Sequence, residues 1–259
     1  MIDPEIIQPV AKLLREVGHL LKANQENSAW RKMLDIDQFK TNADLMINKE
    51  VAKGLAKITP HIPIFSEEVP HDISDRPSSY WLIDPIDGTR SWHGGFHGYV
   101  SQLAYVSQNK ALLGLIYWPH KDWLFAAQSG KFAALNNQIV SLTKARGQPI
   151  VIDNYPLPTG ISATIVNKMQ GAKYQQCGSI GLKSVLALIG EVDIFVKDVT
   201  VRDWDIAPCM PFSECLGGVI LDKDGSELSI GEAIEFEHGL VVSHNPDLAR
   251  EAIEIIRQS

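Results

Sequence analysis

Trp81-Leu82-Ile83-Asp84-Pro85-Ile86-Asp87-Gly88-Thr89 joins an apolar run to two acids and a turn. The apolar start reads as a strand whose C-terminal end carries Asp84. Pro85 fixes its own φ and removes one backbone donor, and Gly88 permits a tight turn. Such a turn can aim the Asp84 carboxylate, the Ile86 carbonyl and the Asp87 carboxylate at one point. Hard divalent cations take oxygen ligands of this kind, and magnesium mixes carboxylates with water and substrate phosphate. Two aspartates three apart, taken alone, are more often a capped turn. The rest of the chain adds weight: Ile62-Pro63-Ile64-Phe65-Ser66 leads into Glu67-Glu68 in the same way, and Trp204 precedes Asp205 over a hundred residues later.

Working outward, Ile6, Val10, Leu13, Val17 and Leu20 are spaced for one face of an amphipathic helix. Asp3 followed by Pro4 fits its cap and first turn. Asn24 to Lys40 is polar and reads as a loop. A second helix is predicted over Asp44 to Ile58, ending before Pro60. Tyr99 to Ser107, Ala111 to Trp118 and Trp123 to Ala127 predict an antiparallel meander. Pro149, Pro156 and Pro158 mark Arg146 to Gly160 as the division between an α+β half, 1–150, and an α/β half, 151–259, of one compact unit. In the second half, Ile161 to Val166, Val192 to Val196, Gly218 to Leu221 and Leu240 to Val242 read as strands. Ser179 to Ile189, Ile206 to Leu216 and Pro246 to Arg257 read as helices. The alternation predicts a layered α/β arrangement.

Composition narrows the class. Hydrophobic residues make up 45 % of the 259 residues and charged residues 21 %, as in a globular protein rather than a disordered one. A net charge of −7 with no basic block argues against a nucleic-acid partner. An acidic protein that handles anionic phosphate must make its site positive locally, and bound cations do so most simply. Cys177, Cys209 and Cys215 form no CxxC pair and no even set, which predicts a reducing, cytoplasmic setting. Met1 to Glu5 lacks the features of a signal peptide, and no apolar run reaches the ~20 residues of a membrane span.

The nine residues from Trp81 to Thr89 resemble the first signature of the inositol monophosphatase superfamily. Trp204-Asp205-Ile206-Ala207-Pro208 through Leu216-Gly217-Gly218 resembles its second, and Ser66-Glu67-Glu68 its upstream acidic pair. The resemblance spans nearly the whole chain. It implies a layered αβαβα sandwich and a lithium-sensitive, magnesium-dependent phosphatase. Carried over residue by residue, it implies that Glu67, Asp84 and the Ile86 carbonyl hold one magnesium ion, and Asp84, Asp87 and Asp205 a second. Thr89 and Glu67 orient the attacking water. Gly88 and Thr89 open a helix whose amides receive the phosphate, with Asp87 and Asp205 beside the substrate. Gly178-Ser179 opens a helix on the leaving-group side, and Lys183 follows where bisphosphate-nucleotide relatives carry a lysine. Relatives also carry a T-x-A-D-like run near the start of the second helix. Placed on Asp44 to Glu50, that run puts Ile47 at the threonine and Glu50 at the aspartate, so a third magnesium ion would meet altered ligands.

Other chemistries find less support. His93 and His97 are four apart, but Gly94, Gly95 and Gly98 oppose the helix that a zinc site would need. Gly178 to Ser184 lacks the glycine before lysine of a phosphate loop, and no nucleophile elbow is present. The expected activity is hydrolysis of a small phosphate monoester, 3′-phosphoadenosine 5′-phosphate in the manner of the CysQ-type 3′(2′),5′-bisphosphate nucleotidases. Alternatives are inositol 1-phosphate, then fructose 1,6-bisphosphate, and a relative that binds phosphate ligands without turnover. The resemblance allows a monomer or a homodimer.

Overall fold

Helix α1 (Ile7–Ala23) buries Ile7, Val10, Ala11, Leu14, Val17, Gly18 and Leu21. This stripe is turned from the expected one: Leu13 is half-buried and Leu20 is 41 % exposed. Gly18 explains the turn, because a Cβ there would overlap the Tyr117 ring. The computed structural model describes residues 4–37, 39–142 and 147–258. Asp3 and Arg146, the expected cap and the expected start of the division, lie outside the described residues.

The polar stretch after α1 holds a small hairpin, β1 (Met33–Asp35) with β2 (Lys40–Thr41). Helix α2 (Asn42–Ile58) follows at once, two residues earlier than the apolar pattern predicts. Thr41 makes the difference: its amide and hydroxyl both donate to Asp44 Oδ2 at 2.6 Å, a reciprocal cap on the first turn.

A seven-stranded sheet comes next: β3 (Ile64–Ser66), β4 (Ser79–Asp87), then, after helix α3 (Thr89–His93), β5 (Val100–Ser107), β6 (Lys110–Trp118), β7 (Trp123–Gln128), β8 (Phe132–Leu135) and β9 (Gln138–Ile139). β3 and β4 are parallel and the remainder is the antiparallel meander that was expected, extended by β8 and β9. α1 and α2 cover one face, with Trp81, Ile83, Leu103, Leu115 and Tyr117 beneath them.

The second sheet has the order β11-β10-β12-β16-β14. Its first strand, β10 (Ile150–Asp153), lies inside the proline-marked segment. Helix α4 (Gly160–Lys168) then stands where Ile161 to Val166 predicts a strand. The Thr159–Ser162 capping box starts a helix, and Ser162 and Ile165 are the residues it buries. β11 (Lys173–Gln176) is a polar edge strand with no apolar signature. Helix α5 (Ile180–Leu188) and β12 (Ile194–Lys197) follow. A short β13 (Val201–Arg202) leads into α6 (Asp203–Ile206) and, after a 3₁₀ turn, α7 (Met210–Leu216). One continuous helix over Ile206 to Leu216 was expected; Pro208 and Pro211 break it. β14 (Val219–Leu221), β15 (Glu235–Phe236, paired with β13), β16 (Leu240–Ser243) and α8 (Pro246–Arg257) complete the chain.

α4 and α8 pack on the outer face of the second sheet, burying Ile165, Ala249 and Ile253 against Val151, Val196 and Val241. α5 and α7 fill the space between the sheets, where Leu182, Val185 and Phe212 meet Ile116, Phe125 and Phe195. The layers are therefore α1/α2, sheet, α5–α7, sheet, α4/α8: the αβαβα sandwich. No helix among the described residues is long and apolar enough to cross a membrane.

Candidate active site

β4 brings both acids of its motif to one place. On a regular strand, residues three apart point to opposite faces. Here the steps from Asp84 to Asp87 are matched on β5 only by the shorter run from Gln102 to Val100. This bulge returns Asp87 to the side of Asp84. Pro85 sits inside it, and its carbonyl accepts from Ser101 Oγ at 2.7 Å. Asp205 arrives from the first turn of α6, its Oδ2 accepting from the Arg202 amide at 2.8 Å. Asp84, Asp87 and Asp205 each place an oxygen within 4.8 Å of the others. Glu67 follows β3, where its amide donates to Ile83 O at 3.2 Å, and its carboxyl lies beside that of Asp84.

These acids disfavour their own ionisation. Burial pushes Asp84 and Asp205 well above the usual carboxylate range, and repulsion from Glu67 and Asp87 adds to it. Glu67 is pushed up to about 7 by burial, then by Glu68. Its residue surface is partly exposed, but the carboxyl packs among the other acids. The nearby cations are engaged elsewhere: Lys40 with Glu68 at 2.5 Å, Lys197 with Asp153 at 2.8 Å, and Arg76 with Asp203. Three desolvated, mutually repelling oxygen donors fit a hard divalent cation. The Ile86 carbonyl, expected as a ligand, accepts from Thr89 Oγ1 at 3.0 Å.

Thr89 also lies 2.9 Å from Asp44 Oδ1. Sequence reasoning puts the family's threonine and aspartate at Ile47 and Glu50; the structure brings Thr41 and Asp44 to the site instead. Ile47 is in the core, and Glu50 lines a groove between α1 and α2 with Lys12 and Glu16. Asp44 shares a cleft of about 30 Å³ with Phe39, Lys40, Glu67, Glu68 and Thr89. The signal was present: Thr41-Asn42-Ala43-Asp44 is itself a T-x-A-D run, hidden by starting the helix two residues late. Burial raises the pKa of Asp44, against the hydrogen bonds from Thr41 and Thr89 that lower it.

The Gly178-Ser179 turn serves Asp87. Ser179 Oγ donates to Asp87 Oδ2 at 2.6 Å, the Ile180 amide to Oδ1 at 3.0 Å and the Gly181 amide to Oδ2 at 2.5 Å. The first amides of α5 thus hold a carboxylate. Ser179 has φ 60°, a conformation side chains seldom adopt. Its hydroxyl, which also accepts from the Leu182 amide at 2.9 Å, pins it there. Gly88 (φ 94°), Gly98 and Gly178 form a seam beside this turn. A Cβ on Gly178 would overlap Gly98 O and Ser91 Oγ, one on Gly98 would overlap the Gly178 backbone, and one on Gly88 would come within 2.9 Å of Gly98 O. Gly88 and Thr89 do open a helix, as expected, and the first amides of a helix have no partner within it.

Lys183 is fully buried and does not present its charge to solvent. Its ammonium donates to Asn154 Oδ1 and lies 4.8 Å from the Phe195 ring centroid. Burial lowers its pKa to about 8, opposed by Cys177, Asp87 and Asp153. Lys197, at the end of the neighbouring strand β12, lies over the exposed Tyr155 ring. Trp92 is also buried, its Nε1 donating to Leu21 O at 3.0 Å, so it offers no surface to a ligand. His93 packs edge-on against Phe39, while the exposed His97 stacks on His120 with centroids 3.9 Å apart. α3 ends at His93, so no helix joins the two histidines.

The sequence profile of the inositol monophosphatase family matches residues 3–259. The chain is 28 % identical, over 91 % of each sequence, to the 3′(2′),5′-bisphosphate nucleotidase CysQ of Aggregatibacter actinomycetemcomitans. It is 26 % identical to the fructose-1,6-bisphosphatase/inositol-1-monophosphatase of Thermotoga maritima, over 95 % of this chain and 96 % of that one. A solved structure of an IMPase/NADP phosphatase complexed with Mg²⁺ and phosphate superposes with a TM-score of 0.83 at 20 % identity, over 98 % of this chain and 96 % of that one.

Proposed function

The chain belongs to the inositol monophosphatase family, and we propose that it hydrolyses 3′-phosphoadenosine 5′-phosphate as a magnesium-dependent 3′(2′),5′-bisphosphate nucleotidase. The observation that carries the reaction class is the convergence of Asp84, Asp87 and Asp205 beside the Thr89–Asp44 pair. Asp84, Asp87 and Asp205 would hold one magnesium ion, and Glu67 with Asp84 a second. Held there, the ions would supply acidification of a water and neutralisation of charge on the leaving oxygen. The protein's own part is proton handling and placement. The anionic Asp44 Oδ1 is a better acceptor than the Ile86 carbonyl, so it takes the Thr89 hydroxyl hydrogen. A lone pair on Thr89 Oγ1 is then left for a hydrogen of the attacking water. As the water oxygen bonds to phosphorus in line, the bond from phosphorus to the leaving oxygen breaks; the water's proton passes to Thr89 Oγ1, that of Thr89 to Asp44, and the leaving alkoxide takes a proton from solvent water. Burial raises the pKa of Asp44, which makes it a better proton acceptor than an exposed carboxylate.

The substrate reading rests on Lys183 and Lys197. Lys197 lies against the exposed Tyr155 ring and on Asp153, with Lys183 on the adjacent Asn154; a second phosphate that took the place of these partners would meet two ammonium groups, and the His97–His120 stack beside the glycine seam offers a flat face for a base. The CysQ relative supports the same substrate. The inward turn of Lys183 onto Asn154 favours a second reading, an inositol 1-phosphate phosphatase, as does the Thermotoga relative. The test compares kcat/KM for 3′-phosphoadenosine 5′-phosphate and inositol 1-phosphate, with magnesium, in wild type and Lys183→Ala. The nucleotide should be preferred, and the variant should lose on the order of 1.5–3 kcal/mol on it alone. Equal losses, or a wild-type preference for inositol 1-phosphate, would establish the second reading.

A further inference from the structure

Gln102 is 1 % exposed and pairs across strands with Asp84. Its Nε2 lies 3.1 Å from Trp204 O, 3.4 Å from Asp87 Oδ2 and 3.5 Å from Asp84 Oδ2. Trp204 immediately precedes Asp205, so one amide group touches both segments that bring the three carboxylates together. Its three neighbours are all acceptors, which requires the NH₂ end of the side chain to face them. The other end, Oε1, is buried with no hydrogen-bond partner. It points at Gly181, where a Cβ would overlap it. Gly181 in turn gives its amide to Asp87.

A buried acceptor without a partner destabilises the fold, and an apolar side chain would avoid that loss. The gain lies at the Nε2 end. A lysine there would pair with the acids and compete with a cation. A glutamate would add to their repulsion. An apolar residue would leave them without a donor on this side. A neutral amide draws the oxygens together and leaves their charge to the metal. We propose that Gln102 is a positioning residue of the metal site, holding Asp84, Asp87 and the Trp204 carbonyl at the spacing that receives the cation, with Gly181 kept small to admit it. This rests on the metal-binding reading of the three aspartates.

The experiment is calorimetric titration of magnesium into the wild-type protein, Gln102→Met and Gln102→Asn. Methionine keeps the length and removes the donor; asparagine keeps the amide and withdraws it by one methylene. In both variants the magnesium Kd should rise at least about tenfold, as expected when the support of a metal ligand is lost. The magnesium concentration for half-maximal activity should rise in parallel, while KM for substrate at saturating magnesium stays within about twofold. A role in folding alone would instead lower the Tm and leave Kd unchanged. Should Gln102→Met lack the wild-type circular dichroism spectrum, Gln102→Asn decides on the same criterion. Wild-type Kd in a folded variant overturns the proposal. Failure of the wild type itself to take up magnesium overturns the metal reading, and the proposal with it.

Discussion

Lys183→Met tests whether a buried charge is retained here at the expense of stability. Lys183 has no exposed surface, and burial takes its pKa from 10.5 to about 8 even with Asp87 and Asp153 nearby. That fall corresponds to roughly 3 kcal/mol against the charged form. Methionine fills a similar volume without charge, and replacing buried ions by apolar groups often stabilises proteins by about 1–4 kcal/mol. Part of the gain is offset because Lys183 also helps Asp87 to ionise. We expect Lys183→Met to be more stable at pH 7 by about 1–3 kcal/mol, which for a chain of this size raises Tm by about 3–10 °C. The pH dependence gives the sign. Between about 8 and 10.5 the unfolded chain binds more protons at this residue than the folded one, so wild-type stability rises with pH through that window. The advantage of the variant should therefore shrink from pH 8 and vanish near pH 10.5. Urea denaturation of both proteins across pH 7–10.5 measures it. A variant less stable than wild type at pH 7, or an advantage that does not change with pH, would refute the reasoning.

Asp84→Asn and Asp205→Asn should each lower phosphate release at saturating magnesium by at least about a hundredfold; near-normal turnover in either would remove that residue from the site. Thr89→Val and Asp44→Asn should lower kcat by about 10²–10⁴ with little change in magnesium affinity, whereas Glu50→Gln should be silent in both measurements, which separates the observed dyad from the position expected from sequence. Without metal, the raised pKa of Glu67 means that the folded state holds a proton which the unfolded state has lost between pH 4.5 and about 7. Stability of the metal-free protein should fall as pH rises through this window, by up to about 3 kcal/mol from Glu67 alone. Thermal melts in chelator and in excess magnesium should show a slope that the metal abolishes, and a flat profile in chelator would count against the acid cluster.

How much of this was legible in the sequence depended on where each signal resides. Asp84, Asp87, Asp205 and Glu67 could be found because each sits at the end of an apolar segment, in a pattern that names a chemistry. Asp44 was present as T-x-A-D and was missed through a local error. A helix predicted from Asp44 starts inside that run, whereas the Thr41 cap starts it at Asn42. Helix α4 was missed because Ile161 and Val166 look like strand residues, and the signal against this, a threonine three before a serine, is weak. β11 has no apolar alternation, since it is a polar edge. Gln102 was invisible for a different reason. A single amide in an apolar strand carries no local message; its meaning comes from a bulge in the next strand and from a carbonyl a hundred residues away.

The glycine seam bears on which parts of the cleft can move. Where Gly88, Gly98 and Gly178 meet, backbone lies close against backbone, with the short Ser91 and Ser179 side chains and the edge of the Phe96 ring packed around the contact. A joint of that kind works as a mechanical stop. The wall on the Ser179 side cannot yield to a larger substrate, and no substitution at the seam can loosen it without prising the β4–α3 turn away from α5 and taking Asp87 off the three donors at the start of that helix. Adaptability is left to the opposite lip, where side chains of the β1–β2 hairpin meet the site, Lys40 on Glu68 and Phe39 against His93, and to the exposed residues around Tyr155 and Leu157. Relatives with different substrates should therefore differ at those edges and agree at the seam.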